Sequence, residues 1–224
     1  MSVKEFLKYV SEEENLFRTL FISLLASFSI LALFYFFGLK NINNFIPNYG
    51  IYLFLAVLSY SLILLSARHV RTYREFACMS GMMIGMTIGM IAGFLSGFYI
   101  GATNGMFWGS VFGMTIGILF GAWNGKCCGI MGTMEGIMAG FMGGLMGAMT
   151  AIMMLNDNIK YMAVIVFAVS SIILFGLNYM IYKETREITQ KNKENVFFII
   201  FWSILLTTIT ILMMIFGPRS VLFG

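Results

Sequence analysis

Residues 81–129 read GMMIGMTIGMIAGFLSGFYIGATNGMFWGSVFGMTIGILFGAWNGKCCG, a stretch in which glycine returns at every fourth position from Gly81 through Gly105 to Gly129 without a gap. In water this would be a weak helix, because each glycine costs roughly 0.8–1 kcal/mol against alanine. Inside a bilayer the backbone has no other way to satisfy its hydrogen bonds, so the helix forms regardless. The glycines then become contact surface, since rows of small residues let helix backbones approach closely where lipid supplies no hydrophobic push. Packing is therefore the first expectation for Gly85, Gly89, Gly93, Gly113, Gly117, Gly136, Gly140 and Gly144. The alternative, freed carbonyls lining a pore, needs helix breaks, and both prolines, Pro47 and Pro218, fall outside the apolar stretches.

Outward from this stretch the composition is that of a polytopic membrane protein, 59% hydrophobic and 11% charged over 224 residues. Hydropathy predicts an all-α bundle of seven transmembrane helices in a single domain, near residues 17–38, 50–67, 77–101, 105–123, 128–154, 161–182 and 196–217. The first span is too long for a signal-peptide core and is expected to be retained. The positive-inside rule places the N-terminus in the cytoplasm and the C-terminus outside. Eleven basic residues then fall inside, among them Arg68, Arg71, Arg74 and Lys126, and three outside, Lys40, Lys160 and Arg219. The net charge of +4 is explained by this topology and calls for no nucleic-acid partner. A prokaryotic plasma membrane is the expected location.

The chain divides by composition into a shell and a centre. Residues 77–154 hold 19 of the 24 glycines and 15 of the 20 methionines, whereas spans one, two, six and seven are built from the usual lipid-facing Leu, Ile, Phe, Val and Tyr. Internal repetition is also visible: GMTIG occurs at 85–89 and 113–117, and GMIAGF at 89–94 resembles GIMAGF at 136–141.

On a helical wheel with Glu135 at zero, Cys128, Met131, Met138, Met142, Met146, Met149 and Met153 fall within about 60° of the acid, while Gly132, Gly136, Gly140, Gly143, Gly144 and Gly147 occupy roughly +60 to +180°. Met79, Met82, Met86 and Met90 share one face of span three in the same way. Thioethers are uncharged, polarizable ligands suited to Cu(I), and a ladder of them one turn apart is a conduction path if it faces inward. Against this stands plain packing, because methionine fills irregular gaps beside glycine. Cys78, Cys127, Cys128 and His69 gather at the cytoplasmic ends, where a cytosolic metal would enter or leave; as small or interfacial residues they also need no function. Over about one helix, the MxxxM spacing of Met82, Met86 and Met90 beside GxxxG packing resembles the copper importers of the eukaryotic type. That resemblance implies shared thioether chemistry and carries no residue roles across.

Glu135 is the one acid within a predicted span. An ionised carboxylate at that depth is costly, so it is expected to be neutral or paired, either as a proton- or ion-coupling group or as interhelical glue to Thr133, Asn104 or Asn124. No Walker loop, HExxH, GxSxG triad or CxxC zinc pair is present, and an enzyme is not expected. The reading that follows is a transporter or channel-like permease for a soft monovalent cation, Cu(I) being a substrate rather than a resident cofactor. A non-catalytic glycine-zipper scaffold that self-associates is the alternative, and a proton or small-solute channel using Glu135 is the second. The implied partners are the bilayer, a metal ion and further copies of the chain.

Overall fold

Helices account for nearly all of the described residues, and no strand occurs among them. The computed structural model describes residues 14–37, 49–72, 78–126, 129–185 and 196–217. They form α1 (Glu14–Phe37), α2 (Ile51–Thr72), α3 (Cys78–Asn104), α4 (Met106–Gly125), α5 (Gly129–Met153), α6 (Ile159–Thr185) and α7 (Val196–Phe216). Five of them, α2 to α6, are long and apolar enough to cross a membrane; α1 and α7 carry the shorter apolar segments Phe21–Ala32 and Phe201–Ile215. The molecule is a helical membrane bundle.

Helix α3 is its spine and has two unlike faces. One face carries Ile84, Ile88, Leu95, Phe98 and Tyr99, all buried, into an apolar core shared with Leu53, Tyr60 and Ile63 of α2, Leu177 and Ile181 of α6, and Ile211 and Met214 of α7. The opposite face carries the glycines and packs on α4 and α5. The expectation that span two belongs to a lipid-facing shell is not met, because α2 is as deeply buried as α3, whereas only part of α4 and α5 is covered. Lipid tails are as apolar as leucine, so apolar content alone cannot separate a core helix from a lipid-facing one.

The glycine contacts follow one register. Gly101, Gly97, Gly93, Gly89 and Gly85 of α3 meet Gly109, Gly113, Gly117, Gly121 and Gly125 of α4 in turn, folding about Gly105. The α4 row meets α5 the same way, with Gly113 against Gly144, Gly117 against Gly140, Gly121 against Gly136 and Gly125 against Gly132. Four levels of the trio are therefore glycine from all three helices. A Cβ placed on Gly113 would stand 2.7 Å from Gly97 Cα and 2.9 Å from Gly144 Cα, and one on Gly89 would stand 2.9 Å from Gly121 Cα and 2.9 Å from the Gly136 carbonyl oxygen. Real Cβ atoms essentially never approach so closely.

Parallel α3 and α5 keep a constant offset, Gly85 beside Gly132 and Gly101 beside Ala148. That offset also sets 89–94 beside 136–141, so the two similar hexapeptides lie side by side at one level. A four-residue period exceeds the helical 3.6, and a straight helix would carry the stripe off its neighbour by about 40° per step. Contact kept over four steps requires the helices to wind about one another in the right-handed sense.

The corner between α3 and α4 is the single residue Gly105, at φ 105°, a conformation open to glycine and strained for an L side chain. Its N–H donates to the Gly101 carbonyl at 3.2 Å and its carbonyl accepts from the Gly109 N–H at 3.0 Å, so the hydrogen-bond ladder passes through the turn.

The other helices are clipped together by side chains. Ser23 and Ser27 of α1 share hydrogen bonds with Ser203 of α7 at 3.1 and 2.8 Å. Ser59 of α2 donates to the Leu55 carbonyl at 2.7 Å, which leaves its oxygen to accept from the Tyr99 hydroxyl of α3 at 2.8 Å. Asn104 of α3 donates to the Met213 carbonyl of α7 at 2.7 Å, and Asn178 of α6 donates to Ser66 of α2 at 3.2 Å. Trp123 of α4 lies on Trp202 of α7 with ring centres 5.4 Å apart.

Candidate functional site

Helix α5 packs chiefly on α3 and α4, so its remaining circumference forms an outer face of the bundle. Glycine decides which side that is. Gly132, Gly136, Gly140, Gly143, Gly144 and Gly147 are buried with Ala139, Ala148 and Ala151, because only a bare backbone fits against the neighbouring helices. The large side chains are pushed outward: Ile130, Met131, Met134, Met138, Phe141, Met142, Met146, Met149 and Met153 are exposed, and Ile137, Leu145 and Ile152 are half-buried. Met138 is 62% exposed, Met142 54% and Met146 55%.

Seven of the nine exposed side chains are thioethers. The outer face of α6 has no such bias; its exposed large residues are Tyr161, Val164, Ile165, Val169, Ile172, Ile173 and Phe175. Two surfaces of one molecule in one solvent thus differ in chemistry, and a lipid-facing requirement common to both does not account for the difference.

The methionine face continues onto α3. Met79, Met83, Met86 and Met90 are exposed, while Met82 is half-buried. Gly143 lies against the Met90 main chain, whose Cα would be 3.0 Å from a Cβ at that position, and Gly147 lies against Phe94. Met142 is the neighbour of Gly143 on the helix and Met146 stands one turn further, so the two methionine faces adjoin along the α3–α5 seam. Met83 and Met134 enlarge the set expected from sequence; Met83 sits near the edge of the arc taken on span three, whereas Met134 lies about 100° from Glu135 and falls outside the arc taken on span five.

Glu135 sits within this face, half-buried, with Met131 one turn before it and Met138 about one turn after. It makes no hydrogen bond or ion pair among the described residues, and the partners expected for it are engaged elsewhere. Thr133 donates back to the Ile130 carbonyl at 2.7 Å, Asn104 to Met213, and Asn124 Nδ2 to the Phe120 carbonyl at 2.9 Å. Lys126 is exposed at the end of α4. Cys127 and Cys128 lie outside the described residues, as do the side chains of Cys78 and His69. Among the described residues no three His, Cys, Asp or Glu side chains cluster as metal ligands.

The structure thus brings Met131, Glu135, Met138, Met142 and Met146 onto one face, with Met86 and Met90 beside it, but that face is turned outward. The inward ladder expected from sequence is not present within one copy, because the glycines, not the methionines, occupy the interior of the trio. Compared with known proteins, the chain matches no family model, no curated sequence and no solved structure.

Proposed function

We propose that the chain is a membrane permease for a soft monovalent cation of the Cu(I) type, handled on the thioether face of α5 and the adjoining edge of α3. The observation that carries this reading is the contrast between the outer faces of α5 and α6, seven methionines against none. Uncharged sulfur ligands bind such an ion without the desolvation penalty of a carboxylate cage, and their polarizability selects it over Na⁺ or K⁺. Glu135 supplies the one negative charge on the face that can neutralise the cation at depth. No chemical step is involved, and without a nucleotide-binding unit in these residues the movement is passive or coupled to an ion gradient.

The test uses Ag(I) as the probe, on the full chain in vesicles. Wild type is expected to bind Ag(I) and pass it, and Met138→Leu with Met142→Leu to lose both, although leucine nearly preserves volume and apolarity. Retention of binding and flux by the double variant removes the thioether reading.

The outward direction of the face favours a second reading, a non-transporting scaffold whose methionine surface only packs. It predicts that wild type neither binds nor passes Ag(I). A proton or small-solute channel is separated from both by Glu135→Gln, which would alter conductance and leave Ag(I) binding unchanged.

A further inference from the structure

We infer that the outer face of α5 is the contact between two copies of this chain, related by a two-fold axis along the membrane normal and closed at Glu135. This goes beyond the cation reading and holds for a scaffold as well as for a permease.

Glu135 lies on the open side of a membrane helix, half-buried, and has no partner among the described residues. A carboxyl group facing acyl chains is unfavourable whether charged or neutral, because hydrocarbon offers it no hydrogen bond. Among the described residues of its own copy none hydrogen-bonds it, and α3 and α4 meet α5 mainly through glycine, which offers no side-chain donor. A neighbouring chain can supply one.

A second copy fits that need by symmetry. Copies inserted in the same sense are related by rotation about the membrane normal, so a residue near a two-fold axis meets its own counterpart at the same depth. A neutral carboxylic acid is at once donor and acceptor, and is therefore complementary to itself. Two Glu135 side chains across the axis satisfy each other.

The flanking residues suit the same contact. Methionine is unbranched and adapts to an irregular facing surface. The small-residue row that most often brings membrane helices together is already occupied inside each copy, so the α5–α5 contact must be made by long, flexible side chains. The valine- and isoleucine-rich face of α6 has neither the acid nor the methionines and serves as the internal control.

The experiment is cysteine crosslinking of the full chain in lipid vesicles with diamide as oxidant, after replacing Cys78, Cys127 and Cys128 by alanine. Met142→Cys and Met146→Cys are expected to give disulfide-linked dimers, and Ile172→Cys on α6 is not. Adding Glu135→Leu should reduce the linked fraction by about fivefold, a factor in the range of interhelical hydrogen bonds in membranes, and Glu135→Gln, whose amide is also self-complementary, should preserve it. Monomers at both methionine positions, or equal crosslinking at Ile172→Cys, overturn the proposal. So does an unchanged linked fraction in Glu135→Leu. Ag(I) binding measured on the wild-type chain separates failure of the dimer from failure of the cation reading.

Discussion

The trio α3–α5 and the remaining four helices hold themselves together by opposite means. Within the trio, backbone meets backbone: glycine faces glycine over four levels, and the attraction is close van der Waals contact with almost no side chain between. Around it, α1, α2, α6 and α7 meet through large side chains and a few buried hydrogen bonds, Ser23 and Ser27 to Ser203, Ser59 to Tyr99, Ser66 to Asn178. Hydrocarbon solvent removes the usual reason for apolar surfaces to associate, and the molecule answers once with proximity and once with polarity. The first mode tolerates no added atom, whereas the second tolerates the loss of a single group.

The largest expected effect tests the first mode. Gly121→Ala puts a methyl group into the Gly136 main chain and should cost at least about 1–3 kcal/mol, the range for overpacking, read as a lowered unfolding midpoint in detergent. Gly176→Ala is its control, because nothing lies within 4 Å of a Cβ there; a change below about 1 kcal/mol, towards greater stability, follows from helix propensity. Equal midpoints for Gly121→Ala and wild type would mean that the glycine levels do not exist as described.

Next in size is the serine clip. Ser203→Ala leaves Ser23 and Ser27 without their shared partner and should cost about 0.6–1.7 kcal/mol, measured in the same way. Two of the buried tyrosines, Tyr99 and Tyr60, test the same mode. Tyr99→Phe removes the bond to Ser59 and is expected to destabilise by about 1 kcal/mol, while Tyr60→Phe removes a buried hydroxyl that has no hydrogen-bond partner among the described residues and should be neutral or stabilising by a similar amount. Opposite signs for these two substitutions are the outcome to look for. Met138→Leu with Met142→Leu should stay under about 1.5 kcal/mol per site since both side chains are exposed, even as Ag(I) binding falls.

Much of this fold could be read from hydropathy, and the exceptions are instructive. The third span was expected to end at 101, yet α3 continues to Asn104, because Thr103 donates to Asn104 and Asn104 to the Met213 carbonyl, satisfying internally the groups that hydropathy scores as polar. On α5 the wheel correctly separated a glycine face from a methionine face. It could not say which of them is inside, since angular spacing fixes relative directions only. Glycine carries the missing information, being useful only where another backbone must come near, while the apolar surroundings of lipid and core leave methionine, leucine and isoleucine indifferent. The same indifference hid the depth of α2, whose Leu53, Tyr60 and Ile63 resemble a lipid-facing set and form the core instead.

A pattern that repeats every four residues has no phase of its own: slide α3 past α4 by one repeat and glycine again falls opposite glycine along most of the hairpin. The corner removes that ambiguity, for with Gly105 alone between the helices only one alignment can close. One residue inserted beside it would rotate the whole of α4 by about 100° and turn its bare stripe away from α3. Four inserted residues would restore the pattern but abolish its origin, leaving several alignments of nearly equal energy. Gly105 is thus the zero mark of a ruler whose graduations are all alike, and a chain that lost it would have no means of counting.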